Sequence, residues 1–168
     1  MKINELLKKR PTLSFEIFPP KNNENDITFI YATIDELAKM NPDFISVTYG
    51  ANGSTSKNTC KIASTIKNKY GIESVAHLTC MNNTKDEIKE ILEELKENGI
   101  ENVLSLRGDY PKDGDGINHG DFKYASELNE FIEENFPNDF CLSGGCYPET
   151  HYEAKNFEED LLNLKKKV

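Results

Sequence analysis

No tryptophan occurs in the 168 residues, and the three histidines and four cysteines are scattered rather than clustered. Cys60, Cys80, Cys141 and Cys146 form neither a Cys-x-x-Cys pair nor a Cys/His group with zinc spacing, so they read as free thiols and no metal is expected. Nowhere do about 18 apolar residues run together, and Met1–Arg10 is not followed by an apolar stretch of signal-peptide length. The chain therefore reads as cytoplasmic, with no membrane partner, and the Asn-x-Ser/Thr triplets at Asn52 and Asn82 are chance matches. Positive charge is in deficit: 20 basic against 29 acidic side chains leave −9, a sign that repels nucleic-acid backbones. Two phosphate-binding signatures are also missing. The first β-rich run leads into Phe18-Pro19-Pro20 rather than Gly-x-Gly-x-x-Gly, and no P-loop follows any strand.

What is present is an alternation. With 37% hydrophobic, 29% charged and 10% aromatic residues the chain can build a core. β-rich runs fall at Leu13–Phe18, Phe44–Tyr49, Ser74–Thr79, Asn102–Leu106 and Phe140–Tyr147, with starts 31, 30, 28 and 38 residues apart, the size of βαβ units. Between them Ile27, Ile30, Tyr31, Ile34 and Leu37 form one stripe at helical spacing, and Ile88, Ile91, Leu92 and Leu95 form another. Thr84 to Glu87 has capping-box spacing, and Asn98-Gly99 is a helix stop. A last helical stretch, Phe157 to Val168, carries Leu161, Leu162 and Leu164.

Strict β-α alternation implies an α/β fold with a parallel sheet, which leaves an open doubly wound sheet or a (β/α)8 barrel. The missing dinucleotide fingerprint favours barrel-type geometry. Five βα units fall three short of the eight in a barrel of about 250 residues, so residues 1–168 are expected to form one incomplete TIM-barrel domain with open edges that invite oligomer formation.

In such folds chemistry sits at the carboxyl ends of the strands. Glu16 lies inside an apolar run. Thr48 and Tyr49 precede a small-residue loop, Gly50 to Gly53. His77 lies within the third strand, Arg107-Gly108-Asp109 ends the fourth, and Tyr147-Pro148-Glu149-Thr150-His151 follows the fifth. Each has a bland alternative: an edge charge for Glu16, turn chemistry for the glycines, a core histidine, a strand-end ion pair, a polar loop. All five ends nevertheless carry polar groups on what would be one rim. No strand contains lysine for a Schiff base or a His-x-His metal pair. Glu16 with Asp109 or Glu149 leaves a two-carboxylate glycosidase open, although no tryptophan offers a sugar platform. The acidic, glycine-rich loop from Tyr110 to Asp121 fails as a calcium loop, having Ile117 and Tyr124 where oxygen ligands belong, and reads as a mobile flap.

These residues resemble one family, the flavin-dependent 5,10-methylenetetrahydrofolate reductases. The similarity is carried in order by Ser14-Phe15-Glu16-Ile17-Phe18-Pro19-Pro20-Lys21, Ser46-Val47-Thr48-Tyr49-Gly50-Ala51, His77-Leu78-Thr79-Cys80, Leu106-Arg107-Gly108-Asp109, Tyr124-Ala125, Tyr147-Pro148-Glu149-x-His151 and Asp160-Leu161-Leu162-Asn163-Leu164-Lys165-x-Lys167. The resemblance implies a (β/α)8 barrel that binds FAD, takes hydride from a reduced donor (NADH, NADPH or a partner protein) and reduces methylenetetrahydrofolate to methyltetrahydrofolate, in one-carbon and methionine metabolism. It implies that Glu16 is the general acid that opens the folate's five-membered ring, with burial among Phe15, Ile17 and Phe18 favouring the proton-bearing carboxyl. It implies that Asp109, close to flavin and pterin, favours the cationic folate intermediate. It also places Thr48, Tyr49, Ala51, His77, Arg107, Gly108, Asp109, Tyr124, Ala125, Tyr147, His151, Ala154, Asp160, Asn163, Lys166 and Lys167 at the flavin, where Arg107 and the lysines suit a pyrophosphate. The family's sixth to eighth strands have no counterpart here, so a non-catalytic flavin-binding or assembly fragment needing a second chain stands as the alternative.

Overall fold

A computed structural model describes residues 1–20, 24–49, 54–109 and 118–167. Its elements are α1 (Ile3–Leu7), β1 (Ser14–Ile17), α2 (Glu24–Ala38), β2 (Phe44–Val47), α3 (Ser54–Tyr70), β3 (Glu73–Thr79), α4 (Lys85–Glu97), β4 (Asn102–Leu106), α5 (Ala125–Asn135), β5 (Cys141–Gly144) and α6 (Phe157–Lys165). All five strands are parallel and stand in chain order, β1-β2-β3-β4-β5. A doubly wound sheet reverses its order at a switch point, and this one does not. The architecture is that of an incomplete TIM barrel.

The register sorts side chains onto two faces, because paired residues in parallel strands point the same way and neighbours along a strand point oppositely. Ile17, Val47, Ala76 and Val103 share one row on the helix-covered face. With Ile45, Leu78, Ile34 of α2, Ile62 and Ile66 of α3, and Ile88, Leu92 and Leu95 of α4 they form the main core. Both expected stripes therefore face the sheet. The capping box of α4 is formed, Glu87 N donating to Thr84 Oγ1 at 3.2 Å and Thr84 N to Glu87 Oε2 at 2.8 Å. Gly99, at φ 74°, adopts the left-handed turn that stops the helix.

The opposite face carries Glu16, Ser46, Val75, Asn102 and Cys141 in one row and His77, Leu104 and Ser143 in the next. Its amino end is closed by α1, a helix not anticipated from the sequence. Ile3 packs with Val75 and Cys141, and its amide donates to Asn102 Oδ1 at 2.8 Å.

Two expectations are corrected. The strands are shorter than the β-rich runs at several ends, so Phe18, Thr48, Tyr49 and Tyr147 lie just beyond them. Glu16 is not buried: its side chain is 47% exposed, because β1 has a single neighbour, β2, and Phe18 projects outward. The last helical stretch is formed as α6, which buries none of its residues and leaves Leu161 and Leu162 exposed.

Candidate functional site

At the carboxyl end of β1 the Glu16 carboxyl projects toward β2 and β3. Its Oε2 accepts a hydrogen bond from Ser46 Oγ at 3.3 Å and lies 3.3 Å from His77 Nε2. The register explains the meeting: Ser46 is the cross-strand partner of Glu16, and His77 stands two residues beyond Val75, the partner of Ser46. His77 is only 7% exposed, and its Nε2 has no hydrogen bond. Burial pushes the His77 imidazole below its ordinary 6.5, while the charge of Glu16 pulls the other way.

Beyond β2, Thr48 N continues the ladder to Ile17 O at 3.0 Å, Thr59 Oγ1 donates to Thr48 O at 3.0 Å, and Tyr49 Oη reaches Asn83 Oδ1 at 3.4 Å. Ala51, together with residues 50 and 52–53 of its loop, lies outside the described residues, as do residues 110–117 of the expected flap. The rest of that loop is tied down: His119 N donates to Asn82 Oδ1 at 3.1 Å and Asp121 N to Asn83 O at 3.1 Å.

The β4 end turns sharply at Gly108, where φ is +84° and an added Cβ would come within 3.0 Å of Thr79 Cβ. Glycine is required there on both counts. Asp109 follows, exposed. Arg107 holds Glu153 in a fork, Nη1 to Oε2 at 2.6 Å and Nη2 to Oε1 at 3.1 Å. Each ion favours the other: Arg107 is held still more firmly protonated, and its hydrogen bonds, with a further one from Tyr152, pull the Glu153 carboxyl down to about 2.

The segment after β5 folds over this pair. The Tyr147 ring meets the His151 ring edge-on at 4.8 Å between centroids, His151 N donates to Asp160 Oδ2 at 2.9 Å, and Ala154 N closes a turn onto His151 O at 2.9 Å. From α6 and its end, Lys166 Nζ donates to Asn163 Oδ1 at 3.1 Å and Lys167 Nζ to Gly145 O at 3.2 Å, which brings Lys167 to the end of β5. Tyr124, half exposed, precedes α5, and buried Ala125 accepts from Ser105 Oγ at 3.4 Å.

The structure thus brings the expected residues into two groups: Glu16 with His77, and Arg107 with Tyr147, His151, Ala154 and Asp160, near which Lys167 arrives. Arg107 directly follows Leu106, the partner of Thr79, which lies two residues past His77. A flavin dinucleotide fits this donor set on two counts. Guanidinium and ammonium groups stand at adjacent strand ends, as a diphosphate needs, and Gly144 and Gly145 put no side-chain bulk beside them, an added Cβ there only reaching ordinary van der Waals contact at 3.8 to 4.0 Å.

Sequence reading passed over Ser46 and Glu153. Ser46 was discoverable as the residue that pairing of the first two strands sets opposite Glu16; Glu153, inside a polar loop, gave no such signal. Among the described residues no helix is long and apolar enough to cross a membrane, and no group of three or more His, Cys, Asp or Glu side chains could hold a metal ion.

A family model described as methylenetetrahydrofolate reductase matches residues 2–168. The 5,10-methylenetetrahydrofolate reductase of Escherichia coli K12 is 43% identical over 156 residues, covering 93% of this chain and 50% of that protein. Its counterpart from Pectobacterium carotovorum is 39% identical over 162 residues, covering 96% and 52%. A plant relative, methylenetetrahydrofolate reductase (NADH) 1 of Arabidopsis thaliana, is 37% identical over 166 residues, covering 92% of this chain and 28% of its own. The chain spans about half the length of the bacterial relatives it matches.

Proposed function

The chain belongs to the methylenetetrahydrofolate reductase family, and from that membership we propose that it reduces 5,10-methylenetetrahydrofolate to 5-methyltetrahydrofolate with FAD at the carboxyl ends of the strands. The observation that supports the reading is the seat of Glu16 against Ser46 and His77 near the carboxyl end of β1, with Arg107 just past the carboxyl end of β4 and Lys167 reaching the end of β5. Bound FAD would accept hydride from a reduced donor (NADH, NADPH or a partner protein) and pass it to the folate.

The residues divide the remaining work. Glu16, half open to solvent, donates a proton to a ring nitrogen of the substrate and regains one from water. Asp109, exposed beyond Gly108, offers negative charge to the cationic folate that ring opening produces. Arg107, Lys166 and Lys167 supply the charge that a diphosphate requires, with Thr48, Tyr49, Ala51, His77, Gly108, Tyr124, Ala125, Tyr147, His151, Ala154, Asp160 and Asn163 as the further residues at the cofactor. The two-carboxylate glycosidase gives way to the family membership.

A second reading is favoured by two observations: α6 buries none of its residues, and among the described residues β1 and β5 each pair with one strand only. On that reading the chain binds flavin but becomes active only when further βα units complete the sheet. Purified protein should be yellow with a flavin spectrum, and methyltetrahydrofolate should bleach it stoichiometrically under anaerobic conditions. Bleaching that survives Glu16→Gln removes the assigned acid, yellow protein that does not bleach selects the second reading, and colourless protein that takes up no FAD sinks both.

A further inference from the structure

Among the described residues Glu16 is held on one side only. Ser46 Oγ and His77 Nε2 both approach the same carboxyl oxygen, Oε2, each at 3.3 Å. Ser46 is fixed in turn by the β1–β2 pairing, and His77 is locked in β3 at 7% exposure. Neither is free to follow Glu16 should the carboxyl swing away.

We propose that Ser46 and His77 are positioning residues for the acid: Ser46 through its hydrogen bond and His77 Nε2 by its approach to 3.3 Å both engage Oε2, which leaves Oε1 to carry the proton toward the substrate. This rests on the folate-reducing reading above. In the step itself the Glu16 O–H bond breaks and an N–H bond forms on one ring nitrogen. The carbon–nitrogen bond to that nitrogen opens with its electron pair, and the other ring nitrogen supplies the pair that makes the iminium. Glu16 is left as a carboxylate, whose Oε2 then receives the Ser46 hydroxyl and the His77 Nε2–H as donors.

The electrical state of His77 suits this role. A permanently charged imidazolium at 3.3 Å would hold Glu16 ionised and defeat it as an acid. Burial instead favours the neutral ring, which keeps an N–H to donate and adds no fixed charge. Among the described residues Glu16 is the one charged group that bears appreciably on His77.

Two measurements test the proposal. The first needs no flavin: titration of the His77 ring followed by 15N NMR in wild-type protein and Glu16→Gln. Removing the carboxylate should move the midpoint further down, and an unchanged midpoint overturns the pairing. The second compares half-reactions in flavin-loaded protein. Ser46→Ala should slow oxidation of the reduced flavin by methylenetetrahydrofolate roughly tenfold or more, with folate affinity and flavin reduction by the donor within about twofold of wild type. At equal flavin loading His77→Leu should slow the same half-reaction, and His77→Gln, which keeps a donor near Nε2, should recover most of that rate. Equal loss in both half-reactions, or no loss in either, overturns the positioning role. Wild-type protein that takes up no flavin sinks the functional reading instead, and the NMR titration still decides the pairing.

Discussion

Arg107 and Glu153 face each other with both guanidinium nitrogens on both carboxyl oxygens, at 2.6 and 3.1 Å. An anionic ligand drawn to Arg107 must therefore compete with Glu153 or share the arginine with it. Glu153→Gln should tighten FAD binding by roughly two- to fivefold, the scale of an exposed ion pair, as read from quenching of flavin fluorescence. Weaker binding in that variant would mean that Glu153 aims the arginine rather than competing for it. Because Arg107 pulls the Glu153 carboxyl down to about 2, the pair stays ionised throughout the neutral and mildly acidic range.

His77 makes stability depend on pH. Its folded-state titration lies below the ordinary 6.5, so the unfolded chain binds the extra proton more readily than the folded one. The contribution is fully present above pH 6.5 and is lost as pH falls through the lower, folded-state value. Urea midpoints measured between pH 7.5 and about 5 should fall more steeply for wild type than for His77→Gln. Parallel pH profiles would show that His77 takes up its proton in the folded state without cost.

The cysteines offer a check on the core. Cys60, Cys80 and Cys141 are buried and Cys146 is exposed. Burial pushes the Cys60 thiol up to about 12 and the Cys80 thiol to about 11, far from the reactive thiolate. A disulfide reagent at pH 8 should consume one thiol per native chain, at Cys146, and all four in urea. Rapid reaction of Cys60 in native protein would contradict the packing of α3 on the sheet.

Leu92 in α4 is completely buried within the main core. Leu92→Ala should cost about 2–5 kcal/mol of stability, measured by circular dichroism in urea. Leu162, on α6, is 63% exposed, and Leu162→Ala should change stability by less than about 0.5 kcal/mol. A large loss at Leu162 would mean that another surface covers α6 in solution.

The contrast between those two leucines shows what the sequence could reveal. The α4 stripe was legible because a period near 3.6 against charged filling has one common cause, a helix lying on a core, and Thr84 and Asn98-Gly99 bracket it. Leu161, Leu162 and Leu164 are likewise the apolar positions of a helix, yet such a pattern records only that residues are apolar and not whether anything in the chain covers them. The same limit misled the reading of Glu16. Its apolar neighbours suggested burial, but burial on a strand depends on a second neighbouring strand, and β1 has one neighbour. Arg107-Gly108 was readable from the turn that glycine permits, whereas its ion pair with Glu153 joins residues 46 apart and left no local trace.

Each strand of this sheet pairs with the strand made just before it, across separations of only about 30 to 40 residues. Such an order suits assembly during synthesis, because every new βα unit finds its docking edge already formed and never waits for a distant segment. Adjacent units are then the natural increments of folding. The half-site at Glu16, Ser46 and His77 needs only β1 to β3, so the seat of the acid can form on the ribosome before Arg107 and the cations of α6 have emerged.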